Sequence, residues 1–451
     1  MKENFLHYIW RLRLFDFSNL YSTCGTRIEV LHPGILNTHS GPDFTNARLQ
    51  LDDTLWAGNV EIHLRSSDWI KHQHQLDKAY DNVILHVVLE EDEPLYRNNG
   101  ERLPCLELKR LISPGLVGKY LRLLHSEYWI PCQHQFHEVP AYTQTTWLER
   151  MGIERLEQKS SSLEATLETL NGNWEALLYQ SLFRSLGAAI NADAFEQLAR
   201  HCPLNLLAKH RHSLFQMEAL LFGQAGFLDG NFQDNYPQQL QKEYNFLKQK
   251  YQLQAMPEAA WHFMRLRPAG FPIIRIAEMA MLLSQTNHLF SKIMAAKNIQ
   301  ELENLFEVRL SNYWVHHYAL DKTAAKKQKR LGKSAVHGMI INAVVPIIFL
   351  YGKRMGEHLI KEKALGLLEQ LPPEDNHIIR KWQALGQAPE TAFQSQALLH
   401  LKKAYCSEKR CLECAIGNRV LNRNNQVEEA PSNWQLTWEL NLELEAMEAG
   451  R

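Results

Sequence analysis

Seven polar side chains able to do chemistry fall within residues 27–90: Asp43, Glu61, His63, His72, His74, Asp77 and His86. A run with strand character, residues 43–51, starts just after the chain breakers Gly41 and Pro42. The following LWAGNVEIHLRS alternates. It sends Val60, Ile62 and Leu64 to one face and Asn59, Glu61, His63 and Arg65 to the other. Asp43 and Glu61 would then sit on neighbouring strands, where paired carboxylates bind a hard divalent cation, Mg²⁺ or Mn²⁺, through oxygen. Such a cation polarises a phosphodiester and activates water, and a neighbouring basic residue helps to place that water. The plainer alternative has Asp43 capping a turn and Glu61 facing solvent on a half-buried sheet.

Histidine widens the choice of chemistry. His74 and Asp77 lie three apart in SDWIKHQHQLDKAY, which reads as a helix capped by Ser66, Ser67 or Asp68, so they can share a face. His86 lies inside DNVILHVVLE, a β-branched run of the kind that makes a buried central strand. One reading makes His86 a hydrogen-bonded core histidine. The other makes His63, His74 and His86 line one cleft with Asp43 and Glu61, and imidazole-rich sites suit Mn²⁺ or Zn²⁺ better than Mg²⁺. A zinc hydrolase built on those three histidines follows from the second reading.

With MKENFLHYIWRLRLF as the first helix, the order is helix, strand, strand, strand, helix, strand. This order, with Pro42-Asp43 and Glu61-Ile62-His63, resembles the restriction-endonuclease-like superfamily, whose signature is Pro-Asp, a spacer, then (Asp/Glu)-x-Lys. The resemblance implies a metal-dependent nuclease or nuclease-like phosphodiesterase, a hydrolase with Asp43 and Glu61 as metal ligands. His63 stands where the superfamily has lysine, and imidazole is a base or ligand rather than a fixed charge. Lys71 or Lys78 is the expected source of the missing ammonium. The superfamily also has inactive members, so a non-catalytic nucleic-acid-binding or scaffold protein on the same fold is the alternative. Over nearly the whole chain, the strings GPDFTNARL, GNVEIHLRSSDW, DNVILHVV, RMGIERLEQKS, RPAGFPIIRIA and CLECAIGNRVL resemble the bacterial domain-of-unknown-function family numbered 2851.

A second group is sulfur. Cys406, Cys411 and Cys414 have C-x4-C-x2-C spacing in a chain with only seven cysteines. Short spacings of this kind let thiolates converge on Zn²⁺ or an iron–sulfur cluster. A fourth ligand is required; Cys132 is preferred, with His400 second. One distant cysteine plus three near the C-terminus resembles iron–sulfur-stapled nucleases of the same superfamily. Clustered cysteines in odd number point to metal and a reducing cytoplasm rather than to a disulfide frame.

At 451 residues, with 45% hydrophobic and 22% charged residues, the chain has the profile of a globular protein with more than one core. The net charge of −1 argues against a generally basic nucleic-acid binder but allows a local basic groove. Residues 1–17 are interrupted by Glu3, Arg11, Arg13 and Asp16 and do not read as a signal peptide. The longest apolar run, residues 339–351, is short for a membrane span and contains Asn342 and Pro346. A buried helix kinked at Pro346, and no membrane partner, are expected.

The fold class expected is α+β: an N-terminal restriction-endonuclease-like α/β core over residues 1–115, a linker over 116–140, and a large all-α region over 141–451 with the cysteine cluster near its end. From residue 143 the apolar spacing is helical, with helices expected over 147–170, 174–186, 192–200, 204–222 and 238–251 and no strong strand beyond residue 140. Arg265 and Arg267 lie among aromatics, where guanidinium groups can grip phosphates. Residues 321–334 read as an exposed, mobile basic segment with Lys326, Lys327, Lys329 and Arg330. These six are the expected contacts to the backbone of a DNA or RNA partner; the alternatives are arginines that pin helix ends or pair with acids such as Glu278, and a solvated charged face for the lysine-rich run.

Overall fold

A computed structural model describes residues 2–423 except 98 and 189. The fold is α+β, and the chain divides into two compact units. Unit 1 comprises Met1–Trp147 together with the residues from Lys402, and unit 2 is Leu148–Leu401. The segment expected to be a linker belongs to unit 1. Its helix buries Val117, Tyr120 and Leu123, and the turns after it bury Ile130, Cys132 and Phe136, too much apolar surface for a free connection. The chain after Lys402 also groups with unit 1 rather than with the helical region.

Unit 1 opens with α1, Glu3–Leu12, which buries Phe5, Leu6, Tyr8, Ile9 and Trp10 and ends at Arg13 in the left-handed conformation. Its sheet contains β1 (Leu20–Tyr21), β2 (Arg27–His32), β3 (Ile35–Leu36), β4 (Phe44–Leu51), β5 (Thr54–Arg65), β6 (Val83–Glu90) and β7 (Cys105–Glu107), in the order β1-β2-β4-β5-β6-β7 with β3 beside β4. The β2-β4-β5 pairs are antiparallel, and β5-β6-β7 are parallel. β6 is buried along both faces except at Glu90, as its β-branched composition requires. β5 is exposed over its first four residues and buried on both faces over Val60–His63, so alternation there separates two buried sides rather than core from solvent.

The crossover from β5 to β6 is not the single helix expected. α2 covers only Asp68–Lys71, Gln73 turns left-handed (φ 61°), and two 3₁₀ turns follow at His74–Leu76 and Lys78–Tyr80. The segment is polar, and α2 buries only Trp69, so little apolar surface rewards continuing the helix. The helix α3, Pro114–Leu124, then stacks Tyr120 on Phe5 of α1 at 4.0 Å between ring centroids. The C-terminal helix Ala415–Leu421 packs against α3, and Asn422 donates to the Tyr8 hydroxyl at 2.9 Å.

Unit 2 is helical around one large apolar core. Helices at Trp174–Leu186, Ala192–His201 and Asn235–Tyr251 follow the apolar spacing, while the expected helix over 204–222 is divided into Leu204–Ala208 and Leu214–Gln224. Ser213 caps the second piece by accepting from the Gln216 amide. Lys333–Met355 is long and apolar enough to cross a membrane, but 72% of its most apolar window is buried in the unit. Pro346 has no N–H to return to Asn342, and the helix answers with a π-helical turn at Ile340–Val344. A short hairpin, His317–Ala319 with Lys322–Thr323, is a strand pair beyond residue 140 that the spacing did not announce.

Candidate metal centre

The loop before β4 is built to deliver Asp43. Gly41 adopts φ 98°, and the Asn37 side chain donates to the Ser40 and Pro42 carbonyls at 3.1 Å each. The ladder between β4 and β5 shifts register between Phe44 and Ala47, where Asn46 is left-handed. Beside this irregularity the two acids clasp the main chain reciprocally. The Asp43 amide donates to Glu61 Oε2 and the Ile62 amide donates to Asp43 Oδ2, both at 3.0 Å. Asp43 thus does cap backbone at a turn, as the plainer alternative had it, but Glu61 is buried rather than solvent-facing.

Around this clasp four elements converge. β5 brings His63, whose Nε2 lies 3.5 Å from Glu61 Oε1. The crossover brings His72, with Nδ1 at 3.2 Å from His63 Nε2, and His74, with Nε2 at 3.3 Å from Glu61 Oε1. α1 brings His7, with Nε2 at 3.2 Å from Asp43 Oδ2, and Glu3, 4.0 Å from His63. β6 brings His86, whose Nε2 lies 2.8 Å from His63 Nδ1. His63, His72 and His74 each offer a ring nitrogen within 4.8 Å of the others. His86 is not a member of that trio. The parallel register pairs it with Glu61, and full burial places it behind His63 as a hydrogen-bonding support.

Electrostatics set the protonation states. Burial pushes the Glu61 carboxyl well above the ordinary range, with Asp43 next to it adding to the rise. Glu3 is raised to about 7 by burial and by Asp43. His63 is lowered to about 2 and His86 to about 3, first by burial and then by neighbouring imidazoles. His74 is lowered by burial and by His72. Neutral imidazoles keep a lone pair to give. His7 Nε2 and His74 Nε2 are buried without a hydrogen bond of proper geometry, although each lies beside a carboxylate oxygen. Donor atoms that crowd without bonding one another suit a shared cation.

Other expected site residues fall elsewhere. Asp77 caps the second 3₁₀ turn by accepting from the Ala79 amide at 2.9 Å, a local role that the broken crossover imposes. Lys71 pairs with Asp68 at 2.7 Å and does not bring an ammonium to His63. In unit 2, Lys329 is buried, donates to the Val315 and Lys327 carbonyls and sits 4.0 Å over the Tyr318 ring, so it holds its own loop rather than a phosphate. Arg265, Arg267, Lys326, Lys327 and Arg330 are exposed. Arg275 pairs with buried Glu278 at 2.7 Å.

Glu3 and His7 were missed as partners of the cluster, and His72, singled out by type, was not placed in it. The i,i+4 spacing of Glu3 and His7 on an amphipathic first helix is the signal for two of them. Tyr80 stacks on His74 at 3.9 Å and closes one side of the cluster.

The four sequence-selected cysteines all lie in unit 1. Cys132, Cys411 and Cys414 are buried and Cys406 half-buried, all as free thiols. Burial raises each thiol, Cys411 to about 12. Cys132 is raised further by Cys414 and Cys411, and Cys406 by the other three. His400, the second choice of fourth ligand, belongs to unit 2 and faces Glu154 at 3.2 Å.

No curated protein and no solved structure matches the chain. The family described as protein of unknown function (DUF2851) matches residues 3–377, and the chain belongs to that family.

Proposed function

We propose that unit 1 is a metal-dependent phosphodiesterase acting on nucleic acid. The observation that carries this reading is the convergence of Asp43 and Glu61, locked by reciprocal main-chain bonds, with the ring nitrogens of His63, His72 and His74. The sheet supports it: α1, the antiparallel β2-β4-β5 meander, a crossover and the parallel strand β6 follow the order that suggested a restriction-endonuclease-like core. Mixed carboxylate and imidazole donors favour Mn²⁺ or Zn²⁺ over Mg²⁺.

Asp43 and Glu61 would hold the cation through oxygen, with His72 and His74 completing the donor set. A bound divalent ion supplies Lewis acidity and a water of lowered pKa. His63 occupies the lysine position of the superfamily signature. Its Nδ1 faces His86 Nε2 at 2.8 Å, and in the tautomer that carries its proton on Nδ1 the Nε2 lone pair is free for a cation or a proton. His63 therefore serves as ligand or proton acceptor rather than as a fixed positive charge. Arg265, Arg267, Lys326, Lys327 and Arg330 remain the proposed backbone contacts. A zinc hydrolase using His63, His72 and His74 is a second reading, favoured by the close spacing of those three nitrogens.

The test is cleavage of labelled single- and double-stranded DNA and RNA in Mg²⁺, Mn²⁺ and Zn²⁺, comparing wild type with Asp43→Asn and Glu61→Gln. Metal-dependent cleavage lost in both variants supports the reading. Absence of cleavage by wild type in every metal leaves a non-catalytic scaffold, and cleavage unchanged in both variants moves the chemistry away from this site.

A further inference from the structure

We infer that Cys132, Cys406, Cys411 and Cys414 form a four-thiolate centre for a thiophilic metal, Zn²⁺ or an iron–sulfur cluster, that joins the two stretches of unit 1 flanking unit 2 in the chain. Several local devices set the turn that carries Cys132 against the stretch that carries Cys406, Cys411 and Cys414. The turn carrying Cys132 is fixed by the Gln135 amide donating to the Cys132 carbonyl at 3.1 Å. Lys402 lies 5.6 Å over the ring of Trp129, which sets this turn against the start of the C-terminal stretch. Leu401–Cys406 is a π-helical turn, and Lys409 then turns left-handed, so the chain doubles back within C-x4-C.

The Cys414 amide donates to the Cys411 carbonyl at 3.3 Å, closing C-x2-C. The helix Ala415–Leu421 starts directly on that turn. A Cβ at Gly417 would lie 2.3 Å from the Cys411 carbonyl oxygen, so only glycine permits this approach. The Ile416 and Gly417 amides and the Trp147 side chain favour the Cys414 thiolate against the opposing effect of burial. Lys402 and Lys409 act on Cys406 and Cys411, and positive charge there offsets the excess negative charge of four thiolates on one divalent centre.

Four soft sulfur donors and no carboxylate among them exclude Mg²⁺ and Ca²⁺ as natural occupants and select zinc or an iron–sulfur cluster. Each thiol releases its proton to solvent on coordination. The centre closes a loop of 274 residues (406 − 132) that contains all of unit 2. It does not depend on the phosphodiesterase reading, because it shares no residue with the Asp43 cluster.

The experiment is elemental and acid-labile sulfide analysis of the full chain purified without oxygen. Variants are Cys132→Ser and Cys411→Ser, with Cys202→Ser and the Asp43→Asn/Glu61→Gln pair as controls. Zinc, or iron with matching sulfide, is expected to remain in Cys202→Ser and in the Asp43→Asn/Glu61→Gln pair, and to be lost when Cys132→Ser or Cys411→Ser is added to that pair. Should those variants fail to fold, titration of the native Asp43→Asn/Glu61→Gln protein with an organomercurial is decisive, because metal is then released in step with the four thiols. Wild type without zinc or iron overturns the inference. So does zinc or iron retained when folded Cys132→Ser or Cys411→Ser is combined with the Asp43→Asn/Glu61→Gln pair, or zinc or iron that survives complete thiol modification of that pair.

Discussion

Exchanging the acids of the clasp for amides and for alanine separates their two roles. Glu61 accepts the Asp43 amide and Asp43 accepts the Ile62 amide, each at 3.0 Å, while burial and the repulsion of Asp43 raise the Glu61 and Glu3 carboxyls, so that ionising them together is unfavourable. Alanine at either position orphans a part-buried N–H, which costs about 1–3 kcal/mol. Glutamine at 61 or asparagine at 43 keeps a carbonyl oxygen for that N–H and removes the repulsion. Glu61→Gln and Asp43→Asn are therefore expected to equal or exceed wild type in thermal stability without added metal, and the alanine variants to fall below it. With Mn²⁺ at roughly a hundred times its dissociation constant, wild type gains about 2.7 kcal/mol. At roughly 2–4 °C per kcal/mol this raises the melting temperature by roughly 5–10 °C. The amide variants are expected to lose most of that rise. Differential scanning fluorimetry of the five proteins with and without Mn²⁺ reads both effects. An amide variant that keeps the full Mn²⁺ rise refutes the ligand assignment, and amide and alanine variants equally unstable without metal refute the clasp.

Further outcomes follow from single residues. His86→Phe keeps bulk in the core but removes the nitrogen facing His63 Nδ1, and Mn²⁺ affinity is expected to fall about 10–100-fold by calorimetry. Glu218 in unit 2 is fully buried, accepts from Tyr236 and from Trp314, and is raised by burial from 4.5 to about 7. Its folded form holds a proton that the unfolded chain gives up, so its contribution is complete below about pH 4.5 and is lost as pH rises through about 7. That contribution amounts to about 3 kcal/mol. Glu218→Gln is expected to flatten the fall in stability between pH 5 and 8 in urea unfolding; an unchanged slope rejects the assignment. A Cβ at Gly58 would lie 2.5 Å from Ile84 Cγ2 and 2.7 Å from the Asn82 carbonyl, so Gly58→Ala is expected to lower the stability read by urea unfolding by about 1–3 kcal/mol.

The strand that follows Asp43 and those that carry Glu61 and His86 were legible because alternation and a β-branched run are local signals. The acid pair was legible for a different reason: metal chemistry restricts which residue types can meet, and Asp43 and Glu61 do meet where β4 begins beside β5. The crossover was not legible. Its composition allows a helix, and only the tertiary positions of Trp69, His72 and His74 decide that it breaks at Gln73. Breaking it brought His72 into the cluster and sent Asp77 to cap a turn. Nor could spacing show that His86 would be consumed by His63, since the parallel register between β5 and β6 sets that pair. Lys329 looked like one more solvated charge in a basic run. Its burial follows from the carbonyls of Val315 and Lys327 and the Tyr318 ring, partners brought by the hairpin fold.

The account rests most heavily on the Asp43 cluster holding a divalent ion. Anomalous diffraction at the manganese edge from crystals of the full chain soaked in Mn²⁺ tests this directly. The predicted result is one peak bounded by carboxylate oxygens of Asp43 and Glu61 and by ring nitrogens among His63, His72 and His74, at ligand distances of about 2.0–2.3 Å. Crystals that show manganese elsewhere on the chain, or none at that cluster at saturating Mn²⁺, contradict it.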